Sequence, residues 1–480
     1  MTDDPARARF VGRLLTSGGD ARIRFVAGRE VNRYGASPYP RAMRNYAAST
    51  ANDVSPAAFE NLMEVVARWP SGGALAPDDY EVGLERIRIR LRAAYGLDSS
   101  TGIVFAPSGT DLEYVAVHVA RSRGGRALTN ILLGSDEVGS GCPLAAQGRF
   151  FAGETALRNS VAKGSVLSGC AEVALVELPV RDAAGAALTE TAVTGQLEAA
   201  IRGARKVGRH ALVHVVHGSK TGLILPGLDA IDMLRAQHGG SVSFVVDACQ
   251  ARIEPAAVAA YLARDCIVLM TGSKFMGGPP FSGFALLPEA AVAAMRRLPP
   301  GFADVFRRGE WPAEWAGAFG LETGANPGLL LRLEAALFEL ERFRAVRRAD
   351  MLTVIDAFEV AVSDLSHALG TRLIATPASS AACPIESRTL ATLDMSAMPG
   401  APDFETAQRW QHVLAARGIR LGQPVKCARL ADGRWGATLR ISLSMPMIAE
   451  LAGSCPAQAI GQDMAKIADV LGAAARGLAA

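Results

Sequence analysis

The sequence has few cysteines, almost no net charge and no long apolar run, and each shortage excludes a class of protein. Seven cysteines among 480 residues are too few for a disulfide-rich scaffold. Lysine and arginine number 50 against 47 aspartate and glutamate, so the net charge of +3 lacks the clustered basic excess of a nucleic-acid-binding protein. No segment reaches the roughly 20 uninterrupted apolar residues of a membrane helix. We therefore expect a protein that binds neither nucleic acid nor membranes.

The amino-terminal end also lacks the features of a targeting signal. It reads Met-Thr-Asp-Asp-Pro, which is acidic where a signal peptide is basic, and no short apolar run follows it. We therefore expect a cytoplasmic protein with reduced thiols. Apolar material is plentiful, because half of the residues are hydrophobic and a fifth are charged, which is the balance of a globular protein with a large core.

Short apolar segments alternate with helical patterns through the middle of the chain. Each is rich in Val, Ile, Leu or Phe and lacks strict alternation, which is typical of strands buried on both faces. Their spacing fits βα units, so the sequence predicts an α/β domain with a largely parallel sheet. The predicted strands are 102–105, 130–133, 173–178, 211–216, 243–246, 267–270 and 283–287.

The pattern changes near Asn326, where long helices replace the alternating segments. We predict three parts: an N-terminal segment at 1–78, a large α/β domain at 79–325, and a connecting helix with a small α+β domain at 326–480. The predicted elements around these boundaries are helices at 79–94, 328–369, 404–417 and 457–476, and strands at 389–393 and 438–443.

Three loops after predicted strands have unusual compositions, and sheets of this kind bind ligands at the carboxyl ends of their strands. Ser108-Gly109-Thr110 precedes a helix whose free N–H groups can hold an anion, although an ordinary N-cap turn explains this loop on its own. Asp247 ends a buried strand, where a carboxylate is costly without a cationic partner. Lys274 follows the next strand, and a lysine partly removed from water is a nucleophile for a carbonyl. Each charge alone could be an ordinary surface charge at a strand end, but together these residues predict a cofactor site.

The segment from Val246 onward, DACQARIEPAAVAAYLARDCIVLMTGSKFMGGPPFSGFALL, resembles the fold-type I pyridoxal-phosphate enzymes. The likeness is to the class V aminotransferase and cysteine desulfurase group, and it covers roughly residues 80–450, with specific motifs at about 213–287. It implies the α/β fold of that group: a large domain with a mainly parallel seven-stranded sheet plus a smaller α+β C-terminal domain. It also implies pyridoxal 5'-phosphate as the cofactor.

The resemblance assigns a role to each loop residue. Lys274 matches the lysine that binds the cofactor as a Schiff base, the internal aldimine, and Asp247 matches the acid that pairs with the pyridinium nitrogen. Gln250 matches a hydrogen-bond partner of the ring 3′-oxygen, and Ser219 stands where an asparagine commonly contacts that oxygen. The cofactor-binding positions that it implies are Ser108, Gly109, Thr110, Val138, Ser219, Asp247, Gln250, Thr271, Ser273, Lys274 and Thr323.

Near the C-terminus, the segment TLRISLS resembles the strand of this group whose arginine binds the substrate α-carboxylate. That role falls on Arg440. The planar guanidinium group is a bidentate donor that suits a carboxylate. The alternative is a solvent-facing arginine on an edge strand.

The sequence departs from the group at three places. Val138 stands at the position of a histidine that stacks on the ring, and because a valine cannot relay protons, the desulfurase mechanism is disfavoured. The resemblance implies a homodimer in which a residue of the partner subunit contacts the cofactor phosphate. In this sequence only Thr323 or Asn326 could make that contact. Cys383 superficially resembles the desulfurase persulfide loop, but Pro384 and the strand after it favour a packed or solvent-facing cysteine.

Other candidate motifs fail. The histidines form no His-Glu-x-x-His pattern and no Cys-x-x-Cys pair occurs, so no metal site is predicted. Ser219-Lys220-Thr221 resembles the end of a P-loop but lacks its glycines. His217 is a candidate neighbour of the cofactor, whereas His214 is interpreted as structural.

The implied chemistry is an external aldimine with an amino-acid substrate, followed by a quinonoid stabilised by the protonated ring. Transamination is the commonest fate in the group and is the leading prediction. Elimination or replacement at Cβ or Cγ is the alternative, including on a sulfonium substrate such as S-adenosylmethionine in specialised-metabolite (natural product) biosynthesis. Epimerisation and decarboxylation also stay open, as does a non-catalytic regulatory protein that binds the cofactor.

Overall fold

A computed structural model describes residues 4–47, 50, 52–69, 75–124, 127–135, 137–375 and 388–477. Its strands are β1 (Arg44–Tyr46), β2 (Gly102–Ala106), β3 (Leu128–Leu133), β4 (Ala174–Leu178), β5 (His210–His217), β6 (Ile224–Leu225), β7 (Val242–Asp247), β8 (Ile267–Thr271), β9 (Gly283–Leu287), β10 (Arg372–Leu373), β11 (Leu390–Asp394), β12 (Ile419–Leu421) and β13 (Thr438–Ser442). Its α-helices are α1 (Pro5–Leu15), α2 (Pro56–Ala67), α3 (Pro77–Tyr95), α4 (Leu112–Gly124), α5 (Cys142–Ala145), α6 (Glu190–Lys206), α7 (Leu228–His238), α8 (Pro255–Ala263), α9 (Glu289–Ala293), α10 (Pro327–Ala345), α11 (Arg348–Leu369), α12 (Phe404–Ala416), α13 (Met445–Leu451) and α14 (Pro456–Ala475).

The large sheet is built from the seven strands that the apolar segments predict. Their order is β2-β9-β8-β7-β5-β3-β4, and the short strand β6 pairs with β5 outside this path. Strand β9 runs antiparallel to both of its neighbours, while β8, β7, β5, β3 and β4 pair in parallel. Every residue of β2, β3, β5, β8 and β9 is buried, which explains why these segments show no alternation.

Helices cover both faces of this sheet. On one face, Leu212 of β5 and Val245 of β7 pack in one cluster with Val115 of α4. On the other face, Val213 and Phe244 belong to a second cluster, which includes residues of α3, α6 and α10. Successive residues of a strand therefore point to different helical layers. This alternation decides which side chains lie beneath the site described below.

The predicted helix at 328–369 is wrong in one respect, because the segment forms two helices. Helix α10 ends at Ala345 and α11 begins at Arg348. Val346 and Arg347 between them have extended backbone, with ψ angles of 131° and 136°. The apolar periodicity continues across this break, since α10 packs on α2, α3 and α13 while α11 packs on α14. Periodicity alone could not reveal the break.

The C-terminal part contains a three-stranded antiparallel sheet in the order β10-β11-β13. The N-terminal segment contacts the C-terminal part, because β1 pairs in parallel with β12 in a separate two-stranded sheet. Helices α1 and α2 pack against α10. The three predicted parts are thus joined by many contacts, and their boundaries stay a prediction. None of the helices in the described ranges combines the length and apolarity needed to cross a bilayer.

A buried arginine fixes the N-terminal segment to the body of the protein. Arg332 of α10 donates hydrogen bonds to the backbone oxygens of Leu15 (3.2 Å), Ser17 (2.5 Å) and Gly18 (2.8 Å). Its Nε donates to the backbone oxygen of Phe281 at 2.8 Å. Burial lowers the pKa of Arg332 to about 9, against the attraction of nearby acidic groups. One side chain thus fixes the N-terminal backbone close to the loop that follows β8.

Candidate active site

A cavity of about 260 Å³ opens where β5, β7 and β8 reach their carboxyl ends. Of the eleven predicted cofactor positions, ten line it, and Arg440 lines it as well. Topology explains this convergence, because parallel strands end at the same edge of a sheet. The predicted residues that line the cavity are Ser108, Gly109, Thr110, Val138, Ser219, Asp247, Gln250, Thr271, Ser273, Lys274 and Arg440.

One predicted cofactor position lies outside the cavity. Thr323 is exposed and does not line the cavity, so its contact with a partner subunit stays a prediction. Cys383 lies outside the described residues, so its packing stays a prediction. Asn326, the alternative to Thr323, caps α10 by accepting a hydrogen bond from the Leu329 amide and donates to the Gly18 backbone oxygen.

Asp247 and Lys274 are both held by backbone interactions. The Asp247 Oδ1 accepts a hydrogen bond from the Cys249 amide at 2.9 Å, which orients the carboxylate at the end of β7. The Asn52 side chain donates to the backbone oxygens of Ser273 (3.1 Å) and Lys274 (2.8 Å). Asn52 comes from the N-terminal segment and was not predicted. It fixes the loop that carries the lysine.

The loop between β2 and α4 approaches the lysine loop closely. A Cβ atom on Gly109 would lie 2.8 Å from Thr271 Cγ2 and 2.9 Å from Cys249 Sγ, so glycine is required there. The Ser108 hydroxyl donates to Asp111 at 2.5 Å. The Thr271 hydroxyl donates to the Cys249 backbone oxygen at 3.0 Å. Small residues therefore leave space at the start of α4, as an anion site needs.

Asp111 at the start of this helix gives a pH-dependent prediction. Burial raises the pKa of the Asp111 carboxyl to about 6, although Arg22 lowers it. The folded protein therefore keeps a proton that the unfolded chain releases near pH 4, so this group costs stability as the pH rises from about 4 to about 6. Relative to wild type, Asp111→Asn should gain about 2 kcal/mol in free energy of unfolding between about pH 4 and about pH 7. Urea unfolding at both pH values measures this, and parallel pH dependence of the two proteins would contradict it.

Ser219 belongs to a buried network that the sequence did not reveal. Its hydroxyl donates to Glu137 Oε2 at 2.8 Å. Glu137 also accepts from Arg181 Nε at 2.8 Å and from the Thr221 hydroxyl at 2.9 Å. The network joins the loop after β5 to the loop after β3, and it commits the Ser219 hydroxyl to a carboxylate. The predicted contact of Ser219 with a ring oxygen stays a prediction.

Arg440 is buried, with 2% of its surface exposed, which excludes the alternative of a solvent-facing arginine. Its Nε donates to the Gln423 backbone oxygen at 2.9 Å and its Nη1 to the Lys220 backbone oxygen at 3.0 Å. Within the described part of the chain, Arg440 makes no salt bridge, and its Nη2 has no hydrogen-bond partner. Burial lowers its pKa to about 10, against the attraction of Glu137. The group is therefore a cation held rigidly at the cavity.

Val138 and His217 occupy different surroundings. Val138 is buried, lines the cavity and packs with Leu132 and Cys142. His217 does not line the cavity, and its Nδ1 lies 3.0 Å from the Tyr261 hydroxyl with the rings edge to face. The two side chains thus place an apolar surface, and no imidazole, at this wall.

The N-terminal segment supplies cavity residues that no local motif indicates. Arg22 and Tyr34 both line the cavity. The Arg22 guanidinium lies 4.9 Å from the ring centroids of Phe151 and Phe281, pairs with Asp20 at 2.6 Å, and donates to the Ser108 hydroxyl at 3.3 Å. Phe281 has a φ of 72°, a strained conformation for a bulky residue. Arg22 and Ser108 are 86 positions apart, so only tertiary structure reveals their contact.

The cavity residues fit pyridoxal phosphate on three observations. Gln250 Oε1 is buried without a hydrogen-bond partner in the described structure, as expected of an amide that awaits a ligand. The Gly109 loop leaves room for an anion at a helix start. A lysine and an aspartate share the same wall. In the described ranges, no group of three or more His, Cys, Asp or Glu side chains could hold a metal ion.

The large sheet has mostly parallel strands flanked by helices, and the solved structures that the chain resembles are fold-type I pyridoxal-phosphate enzymes, so the predicted fold class is confirmed. Cysteine desulfurase CsdA from Escherichia coli is similar in structure, with a TM-score of 0.56 and 17% identity over 92% of this chain and 96% of that chain. Pyridoxamine-pyruvate aminotransferase from Mesorhizobium loti gives a TM-score of 0.52 and 17% identity over 91% and 99%.

A NifS-like protein from Rickettsia africae is a third solved structure with this fold, at a TM-score of 0.54 and 12% identity over 89% of this chain and 99% of that chain. No protein-family model and no curated protein sequence matches the chain. At these identities the likeness establishes the fold, and the activity must be argued from the site.

Proposed function

We propose that this protein is a pyridoxal-phosphate-dependent enzyme that acts on an amino-acid substrate, with an aminotransferase-like reaction. The observation that carries the proposal is the convergence of Lys274, Asp247 and the Ser108–Thr110 loop on one cavity. A nucleophilic amine, a carboxylate and an anion site at a helix start are the three groups that this cofactor needs from a protein. When bound, the cofactor supplies an electron sink for the carbanion formed at the substrate Cα.

The residues of the chain divide the remaining work. Lys274 binds the cofactor and then takes the α-proton of the substrate as a general base. Asp247 stabilises the positive charge on the ring nitrogen. Arg440 binds the substrate α-carboxylate through its free Nη2. Val138 would present an apolar surface to the cofactor and exclude water there, and it would leave Lys274 as the proton carrier of the site.

Elimination or replacement at Cβ or Cγ is the second candidate, including on a substrate that resembles S-adenosylmethionine. Two observations favour it. Val138 cannot relay a proton as the stacking histidine of the desulfurase group does. The N-terminal segment adds Arg22 and Tyr34 to the cavity, which gives the site polar groups beyond those that the amino and carboxylate groups of a substrate need. A non-catalytic regulatory protein is disfavoured, because it has little use for a buried arginine that faces the cavity and makes no salt bridge within the described residues.

The proposed enzyme is a homodimer. Thr323 is exposed outside the cavity of its own chain, where it is free to reach the phosphate site of a second copy. Size-exclusion chromatography with light scattering measures the oligomeric state directly.

The reaction type is tested by titrating the reconstituted protein with a panel of amino acids that includes S-adenosylmethionine. Loss of the visible band together with a keto-acid product, found by mass spectrometry, supports transamination. A substrate that loses its β- or γ-substituent supports elimination or replacement. A band that no amino acid alters would argue against an enzyme.

Arg440→Lys tests the carboxylate site. A lysine keeps the positive charge but loses the planar donor pair, so we expect the KM for the amino acid to rise roughly 30-fold, with a smaller loss in kcat. Steady-state kinetics measure both constants. Arg434→Lys is the matched control, because Arg434 is exposed on the same part of the chain and pairs with Asp432 and Asp403. An unchanged KM in Arg440→Lys would remove Arg440 from the substrate site.

A further inference from the structure

Beneath the cavity lies a buried acid–base pair that the proposed reaction does not use. Glu113 of α4 and His214 of β5 are each 1% exposed, and Glu113 Oε2 lies 3.4 Å from His214 Nε2. Neither ring nitrogen of His214 has a hydrogen-bond partner in the described structure, and neither has Glu113 Oε2. Burial of polar atoms without hydrogen bonds costs stability, so three such atoms at one place call for an explanation.

The strand register places this pair next to Asp247. Strands β5 and β7 run in parallel, with Val216 opposite Asp247 and His214 opposite Val245. Leu212 and Val245 pack on the α4 side of the sheet, so the two-residue period puts His214 and Asp247 on that side as well. The imidazole is therefore a diagonal neighbour of the Asp247 side chain. Glu113 reaches the same place from the helix above.

Charge and burial define the protonation of the pair. Burial raises the pKa of Glu113 well above its usual range, and the negative charge of Asp247 raises it further. Burial lowers the pKa of His214 to about 4, although Asp247 opposes this. The other titratable groups that face this place are the thiols of Cys142 and Cys249, whose pKa values burial raises, and the Lys274 amine. Both shifts favour the uncharged forms, a protonated acid beside a neutral imidazole.

We propose that Glu113 and His214 are positioning residues for Asp247. With the cofactor bound, the Glu113 O–H would donate to His214 Nε2, which lies 3.4 Å away in this structure, and would fix the tautomer with hydrogen on Nδ1. The Nδ1–H would then donate to the Asp247 carboxylate and orient it to stabilise the charge on the ring nitrogen. This inference rests on the proposed function, since it needs a cofactor whose ring nitrogen contacts Asp247. The three residues only orient the Asp247 carboxylate, and no proton is transferred between them.

The test is a pH titration of the visible band of the reconstituted protein, which needs no turnover. Glu113→Leu and His214→Leu each remove one of the proposed hydrogen bonds to Asp247 or to His214. We expect the titration midpoint of the visible band to move by about one pH unit, the size of one lost hydrogen bond to a charged group. Glu113→Gln keeps a donor, because its amide N–H replaces the acid O–H. Its midpoint should stay within a few tenths of a unit of wild type.

The matched control is His217→Leu. His217 is a buried histidine of the same strand that contacts Tyr261 and does not line the cavity. Its midpoint should equal that of wild type. Three results would overturn the inference: Glu113→Gln shifting as far as Glu113→Leu, His217→Leu shifting as far as His214→Leu, or no shift in either broken variant. If His214→Leu does not fold, the two Glu113 variants decide the question. A wild-type protein without a visible band would instead refute the proposed function.

Discussion

Lys274→Ala loses the visible absorption of the reconstituted protein and lowers turnover roughly a thousandfold or more. Two roles disappear together, because the same amine binds the cofactor and takes the α-proton. The loop itself should survive, since Asn52 holds the backbone oxygens of Ser273 and Lys274 and not the amine. Absorption spectra and steady-state rates measure the two losses.

The control for this change is Lys163→Ala, which removes an exposed lysine that does not line the cavity. Its spectrum and turnover should match those of wild type. A Lys274→Ala protein that keeps both the visible band and the turnover would remove the lysine from the site. An added primary amine should restore part of the turnover in Lys274→Ala if the missing group is the base.

Asp247→Ala gives the second large effect, a loss in turnover of about a hundredfold or more with cofactor content largely retained. The phosphate loop and Lys274 still bind the cofactor, but the ring nitrogen loses the carboxylate that stabilises its positive charge. Turnover and bound pyridoxal phosphate per chain are measured on the same preparation. Equal losses of both quantities would mean that Asp247 only shapes the cavity.

Asp247→Asn separates charge from structure. The amide oxygen can still accept the hydrogen bond that the Cys249 amide makes to Asp247 Oδ1 at 2.9 Å. The loop after β7 is therefore retained while the charge is lost. Turnover in Asp247→Asn should fall nearly as far as in Asp247→Ala, and a near-normal rate would contradict the electrostatic role.

The fold could be predicted largely from the sequence because its signals are local. A buried parallel strand appears in the sequence as a short apolar run, and each of the seven predicted segments coincides with a strand of the large sheet. Asp247 and Lys274 could be found for the same reason, since each directly follows such a run. Because parallel strands end at one edge, the two residues had to converge.

The rest of the site could not be predicted because its contacts join distant parts of the chain. Arg22 reaches Ser108, and Asn52 reaches Lys274, across loops that no pattern links. His214 was interpreted as structural, and only the packing of α4 on β5 shows that it meets Glu113. The helix break at Val346 was missed because both helices keep an apolar face. Apolar periodicity indicates which face of an element is buried, but not which other element packs against that face.

The central claim is that Lys274 holds pyridoxal phosphate, and borohydride reduction tests it most directly. The purified protein is incubated with the cofactor, reduced with sodium borohydride, digested and mapped by mass spectrometry. We expect one pyridoxyl group on the peptide that contains Lys274 and none on Lys220, which also lines the cavity. Modification of another lysine, or of none, would contradict the account.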